Sequence, residues 1–194
     1  MAQLDSQDSF VELFDGTLDG WRIVGSESGN FGVRDGQLRV AGPEGWLRTV
    51  DSYADFELVV EFCFLTDDAD SGLFFRAAGD APFRRGWPNR SYQLQMRNPA
   101  GDSPFPPLGG LFRHGMPPGE TAFDEALARR VTRPTGEWQR LEIDVTGEAL
   151  RARINGTPVL VASGIGNGSG PIGLQGETGA LEVRSVRIRA RAAR

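Results

Sequence analysis

The chain has 194 residues, and its 26 glycines and 12 prolines favour many short elements joined by turns over a helical bundle. All 21 cationic residues are arginine, which excludes Schiff-base chemistry and a P-loop lysine, and the net charge of −5 argues against a nucleic-acid partner. One cysteine, Cys63, and one histidine, His114, exclude an internal disulfide and a metal site built from several histidines.

The start of the chain is polar. No run of about 18 apolar residues is present, so we expect no membrane partner. Because no basic-then-apolar leader is seen either, we expect a cytoplasmic protein, or a secreted or periplasmic one that has lost its signal peptide. Residues 1–9 are predicted to form a loose lead, and residues 10–194 a single domain.

The first half of the chain predicts strands. Residues 55–64 alternate strictly, with phenylalanine, leucine and valine on one face and Glu57 and Glu61 on the other, as in a strand with one buried face. Shorter strands are predicted at residues 31–33, 37–40, 72–76 and 92–97.

Residues 99–120 interrupt this pattern. They hold half of the prolines of the chain and the histidine, His114. We predict a long Pro/Gly-rich loop, and loops of this length are uncommon unless they are functional or disordered. Both interpretations remain open on the sequence.

The second half contains the one predicted helix, at residues 123–130, where Thr121 and Asp124 resemble a capping box. Strands then follow at residues 141–145, 150–154, 172–175 and 181–188, with a hairpin turn at Asn155-Gly156 and a bulge near Ser185. We therefore predict an all-β protein, a two-sheet antiparallel β-sandwich with one short helix and a long loop.

Several motifs occur in a fixed order between about Phe10 and Arg189. They are Phe14-Asp15-Gly16, Trp46-Leu47-Arg48-Thr49, Asp70-Ser71-Gly72-Leu73-Phe74-Phe75-Arg76, Tyr92-Gln93-Leu94-Gln95, Gly109-Gly110-Leu111-Phe112, Gly136-Glu137-Trp138 and Ile172-Gly173-Leu174-Gln175. The series resembles the 3-keto-disaccharide hydrolase family, formerly called domain of unknown function 1080.

This resemblance implies a concanavalin A-like jelly roll with a carbohydrate-facing concave surface. It also implies a hydrolase or lyase acting on glycosides oxidised to a ketone at sugar carbon 3. The ketone acidifies the C2 hydrogen, so a base forms an enolate that expels the C1 substituent. A 3-dehydrogenating oxidoreductase would supply such a substrate.

Three residues are candidates for the chemistry. Arg76 has the fixed charge and planar donors suited to a developing oxyanion, although a structural pairing with Glu61 is the alternative. His114 and Glu177 are the candidates for the general base. A solvated loop charge is the plain alternative for either one.

Six residues are predicted to bind the sugar. Amides and carboxylates suit sugar hydroxyls, and flat rings stack on sugar faces. These residues are Asp70, Gln93, Gln95, Trp46, Trp87 and Tyr92.

The chain also departs from the family pattern. Gln93 stands where the family typically has Glu, and Gly176 and Glu177 stand where members often carry Asp-His. Loss of that Glu and His supports a second hypothesis, a non-catalytic carbohydrate-binding module. A third hypothesis is a structural or interaction domain whose concave face is closed by the long loop.

Cofactors remain unknown at this stage. Some family members use a divalent cation, and Asp70, Asp102 and Glu177 have the oxygen ligands that such ions prefer. No spacing in the sequence defines a ligand set, so we assign no metal residue.

Overall fold

A computed structural model of the chain describes residues 9–25, 30–78, 83–84, 86–101, 103–166 and 168–191. Asp102 and residues 1–8 of the predicted lead lie outside this part. The elements are β1 (Val11–Phe14), β2 (Trp21–Val24), β3 (Phe31–Arg34), β4 (Gln37–Ala41), β5 (Gly45–Thr49), β6 (Asp55–Phe64), β7 (Gly72–Phe75), β8 (Phe83–Arg84), β9 (Trp87–Pro88), β10 (Ser91–Gln95), β11 (Leu111–His114), β12 (Thr121–Phe123), α1 (Glu125–Val131), β13 (Trp138–Thr146), β14 (Ala149–Ile154), β15 (Thr157–Ala162), β16 (Gly173–Gly176) and β17 (Ala180–Arg191).

Two antiparallel sheets face each other, which confirms the predicted sandwich. The larger sheet has the order β12-β15-β14-β13-β6-β17-β4-β3, with β1 also paired to β17, and the six-stranded sheet has the order β11-β10-β7-β16-β5-β2. A separate pair joins β8 to β9.

The core lies between the sheets because each long strand alternates. Leu58, Val60 and Phe62 of β6 are buried against Leu73 and Phe75 of β7 in one apolar cluster. Removing apolar surface of this kind from water is the main source of stability in a sandwich. Period-two patterning therefore decides which side chains are left for the outer faces.

Strand register brings polar side chains together on the outer face of the six-stranded sheet. Gln93 of β10 pairs with Phe74 on one side and Phe112 on the other. His114 pairs with Ser91, two positions from Gln93, and therefore shares its face.

One predicted turn and one predicted bulge are also confirmed. Asn155 and Gly156 have φ values of 50° and 83°, both positive as a type I′ hairpin requires. The register of β17 against β6 shifts between Val183 and Ser185, where the bulge was predicted.

The segment of residues 99–120 is more ordered than its composition suggests. Leu111–His114 form β11, which pairs along β10, so His114 lies on an edge strand and not in a loop. The capping-box prediction for Thr121 is wrong, because Thr121 belongs to β12. Asp124 alone caps α1, where its carboxylate accepts from the Leu127 backbone N–H at 2.9 Å.

Within the described residues, no helix is long and apolar enough to span a membrane.

Candidate functional site

A groove of about 470 Å³ lies on the outer face of the six-stranded sheet. His114 and Glu177, two of the residues predicted for catalysis, both line it. Its other lining residues are Phe74, Trp87, Pro88, Asn89, Phe105 and Gly115. The geometry thus brings an imidazole, a carboxylate and aromatic rings to one opening.

A branched chain of hydrogen bonds runs beneath the groove. The amide nitrogen of Gln93 donates to the Oε1 atoms of Gln95 and Gln175, at 2.9 and 2.8 Å. Gln95 donates to Asp70 Oδ1 at 2.7 Å, and Gln175 donates to Glu177 Oε2 at 2.9 Å. These contacts connect four of the predicted site residues, and Gln175 is an addition that the sequence analysis did not assign to the site.

His114 joins the same chain. Its Nε2 atom lies 2.6 Å from Oε1 of Gln93. The imidazole ring stacks on Phe112 at a centroid distance of 5.8 Å and is tilted against Phe74 at 6.2 Å. Apolar rings and one amide therefore fix the orientation of the histidine.

Gly72 makes room for this network. A Cβ atom at this position would lie 2.1 Å from Gln93 Nε2 and 2.7 Å from Gln175 Oε1. Any side chain here would displace the two amides from each other. The glycine of the Asp-Ser-Gly motif is thus explained by the space that the glutamines need.

Asp70 occupies the far end of one branch. Burial raises the pKa of Asp70 to about 6, against the opposing influence of the Arg97 charge and the hydrogen bond from Gln95. This carboxyl group therefore changes its charge close to neutral pH. The hydrogen bond from Gln95 connects it to the other glutamines of the network.

Phe105 is a lining residue that the sequence analysis missed. Its side chain is 57% exposed, which is unusual for a large apolar group, and packs edge-on against Phe112 at 6.4 Å. The buried Arg97 guanidinium holds the surrounding loop by donating to the backbone carbonyls of Gly101, Phe105 and Pro106. The signal in the sequence was a phenylalanine between Pro104 and Pro106, in a segment rich in proline and glycine.

The three aromatic residues predicted to stack on sugar have different positions. Trp87 lines the groove, and its contact with a sugar stays a prediction. Trp46 faces the same side but is fully buried in a small cluster with Phe74 and Ala77, so it has no surface to offer a sugar. Tyr92 points into the core, where its hydroxyl accepts from the Gly166 backbone N–H at 2.7 Å, and it is no groove residue.

Arg76 also lies outside the groove lining. Its φ of 47° takes it out of the strand alternation, and its side chain turns to the end of the sandwich. There it donates to Asp55 Oδ1 at 2.8 Å and to the carbonyls of Ala54 and Gly147, both at 2.9 Å. The guanidinium is a structural clamp with Asp55, not Glu61, as its carboxylate partner. It is not among the residues that line the groove, and its oxyanion role stays a prediction.

Of the three candidate ligands for a divalent cation, the structure describes Asp70 and Glu177 but not Asp102. Among the residues that it describes, no group of three or more histidine, cysteine, aspartate or glutamate side chains is arranged to hold a metal. Glu177 and Asp70 instead accept hydrogen bonds from glutamine amides. We derive no chemical step through a metal.

Comparison with known proteins gives the chain a family. The model of the 3-keto-alpha-glucoside-1,2-lyase-like domain matches residues 9–189. The chain belongs to this family. No curated protein sequence matches it.

Solved structures with the same fold include two proteins of Parabacteroides distasonis ATCC 8503, each provisionally described as a glycosyl hydrolase. One is 14% identical with a TM-score of 0.74 and covers 98% of this chain and 99% of its own; the other is 20% identical with a TM-score of 0.71 and covers 95% and 100%. A carbohydrate-binding module of Bacillus subtilis, CBM66, is 14% identical with a TM-score of 0.55 and covers 86% of this chain and 93% of its own. At these identities the likeness shows the fold alone.

Proposed function

We propose that this protein cleaves glycosides that carry a ketone at sugar carbon 3, and that His114 is the base that removes the C2 proton. The observation that carries the proposal is the placement of His114 and Glu177 in one groove, joined through Gln93 and Gln175. Family membership supports the substrate class.

The reaction needs one group that first takes and then returns a proton. A neutral His114 accepts the C2 proton, and the electrons of the broken C–H bond form an enolate with the C3 ketone. When the ketone re-forms, a C1–C2 double bond is made and the C1–oxygen bond breaks. The imidazolium then gives its proton to the departing oxygen. Water addition at C1 would convert the unsaturated product into the free 3-keto sugar.

Histidine suits this role because its ordinary pKa lies close to working pH. The imidazolium formed in the first step is a cation beside the enolate oxygen. Glu177 lines the same groove, and its carboxylate favours the positive charge on the ring. The proposed mechanism thus uses one acid–base residue and one stabilising carboxylate, and it does not use the Glu that the family typically has in place of Gln93.

Trp87 and Phe105 are proposed to bind the substrate rings. Both line the groove around His114 and Glu177 and offer flat apolar surface. We expect Phe105→Ala to raise KM for a 3-keto-disaccharide about three- to tenfold with little change in kcat, the loss of one stacking contact. Steady-state kinetics measure this, and Val161→Ala, a truncation of an exposed residue on β15, is the control. An unchanged KM for Phe105→Ala would contradict the role.

A non-catalytic carbohydrate-binding protein is the second candidate function. The observation that favours it is Gln93, an amide at the centre of the site where the family carries a carboxylate. An amide binds hydroxyls but removes no proton.

A time course followed by NMR in D₂O separates the two. We expect release of the C1 substituent from a panel of 3-keto-glycosides, slower reaction of a substrate deuterated at C2, and no reaction of the parent glycosides that lack the ketone. A parallel run with a chelator tests whether a cation contributes. Binding of the sugars by folded protein without any release would favour the binding module, and binding of none would favour an interaction domain.

A further inference from the structure

Six side chains form the hydrogen-bond network that includes His114, and the hydrogen bonds among them have a defined direction. Two carboxyl groups, Asp70 and Glu177, stand at the ends of two branches, and three glutamine amides connect them to His114. A glutamine side chain donates through its NH₂ group and accepts through its oxygen. The direction of each hydrogen bond therefore constrains the next.

The carboxylates determine that direction. An ionised carboxylate only accepts, so Gln95 turns its NH₂ group to Asp70 and its oxygen to Gln93, and Gln175 does the same toward Glu177. Gln93 must then donate to both of these oxygens, which uses both hydrogens of its NH₂ group. The oxygen of Gln93 is left to face His114.

We refer to the hydrogen-bonded side chains of Asp70, Gln95, Gln93, Gln175 and Glu177 as the relay. We propose that the relay holds Nε2 of His114 as a hydrogen-bond donor, so that the lone pair of the neutral ring lies on Nδ1. The proposal rests on the function proposed above, because it names the atom of His114 that would take the C2 proton. Asp70, Gln95, Gln93 and Gln175 are positioning residues in this scheme, since they act on the reaction through His114.

The packing around the relay supports a fixed direction. Gln93, Gln95 and Gln175 are each no more than 4% exposed, so water does not offer alternative partners. Gly72 leaves the space in which the amides meet. Phe112 and Phe74 restrict the ring of His114.

Acidification should loosen the branch that ends at Asp70. Arg97 is the charged group that faces Asp70, and Glu177 ends the other branch. His114 itself contacts Gln93, Phe112 and Phe74. Once Asp70 is protonated, its hydroxyl donates and no longer requires the NH₂ group of Gln95. With a pKa of about 6 for Asp70, this change falls within the pH range in which the protein can be studied.

Because the chain has a single histidine, NMR of protein labelled with ¹⁵N-histidine observes His114 without ambiguity. At about pH 8, well above the ordinary histidine pKa, we expect the neutral ring to carry its hydrogen on Nε2. Asp70→Asn and Gln95→Met should each speed the exchange of this hydrogen with water about tenfold, the equivalent of roughly one hydrogen bond. Asp68→Asn, an exposed neighbour outside the relay, is the matched control and should leave the exchange unchanged.

A hydrogen on Nδ1 in the wild-type protein would overturn the proposal, as would unchanged exchange in both relay variants when thermal unfolding shows them folded. The measurement needs no substrate. A correct tautomer in a protein that cleaves no 3-keto-glycoside would therefore reject the proposed function and keep the relay, and the converse result would reject the relay alone.

Discussion

His114→Asn should lower kcat on a 3-keto-glycoside by about 10²- to 10⁴-fold, the contribution of a positioned acid–base group. The side-chain amide of asparagine can still donate to the oxygen of Gln93, but it cannot accept the C2 proton. KM should change little, because Trp87 and Phe105 keep their surfaces. Steady-state kinetics on the purified variant give both constants.

The Tm of His114→Asn distinguishes loss of the catalytic base from loss of the folded structure. His114 is half-buried on an edge strand, so Tm should fall by no more than about 4 °C, the effect of roughly one lost hydrogen bond. Glu120→Gln, which changes an exposed side chain between β11 and β12, is the control and should keep full activity. Turnover by His114→Asn at more than a tenth of the wild-type rate would contradict the assignment of the base.

Arg76→Met should destabilise the protein by about 3–5 kcal/mol, because it leaves Asp55 buried without its partner. The side chain of Arg76 is 1% exposed and that of Asp55 13%, so solvent screens this pair weakly. For a chain of this size the loss corresponds to a fall in Tm of roughly 6–20 °C. Thermal unfolding followed by circular dichroism measures it.

The same variant decides between a structural and a catalytic Arg76. Assayed at a temperature where it is fully folded, Arg76→Met should keep the wild-type kcat, since the guanidinium is absent from the groove lining. Arg34→Met, at an exposed ion pair with Asp35, is the matched control and should change neither Tm nor kcat. A large loss of kcat in folded Arg76→Met would return Arg76 to the reaction.

Strand alternation made most of the fold predictable. β6 was predicted with its observed bounds, and the bulge in β17 was visible as a slip in the apolar pattern. β11 was hidden, because four strand residues inside a segment rich in proline and glycine do not form a pattern of their own. Its partner β10, and not its local sequence, makes it a strand.

Parity along strands also determined how well the site was predicted. Gln93 and Gln95 share a face of β10, so the alternation of the strand requires Tyr92 to point to the opposite face. That Tyr92 points into the core could therefore have been predicted from the sequence. Arg76 was not predictable in the same way, since its positive φ breaks the alternation at the strand end. Trp46 has the predicted orientation, but its burial depends on Phe74 and Trp87, which are distant in sequence.

The way in which Arg97 holds the loop around Phe105 affects how the specificity of this protein can evolve. Arg97 donates to the main-chain carbonyls of Gly101, Phe105 and Pro106, and every amino acid has such a carbonyl. The loop backbone therefore stays attached whatever side chain stands at position 105. Exchange of that one residue would then change the rim of the groove and, under the proposed function, the leaving group that fits there, while His114 and Glu177 keep their positions.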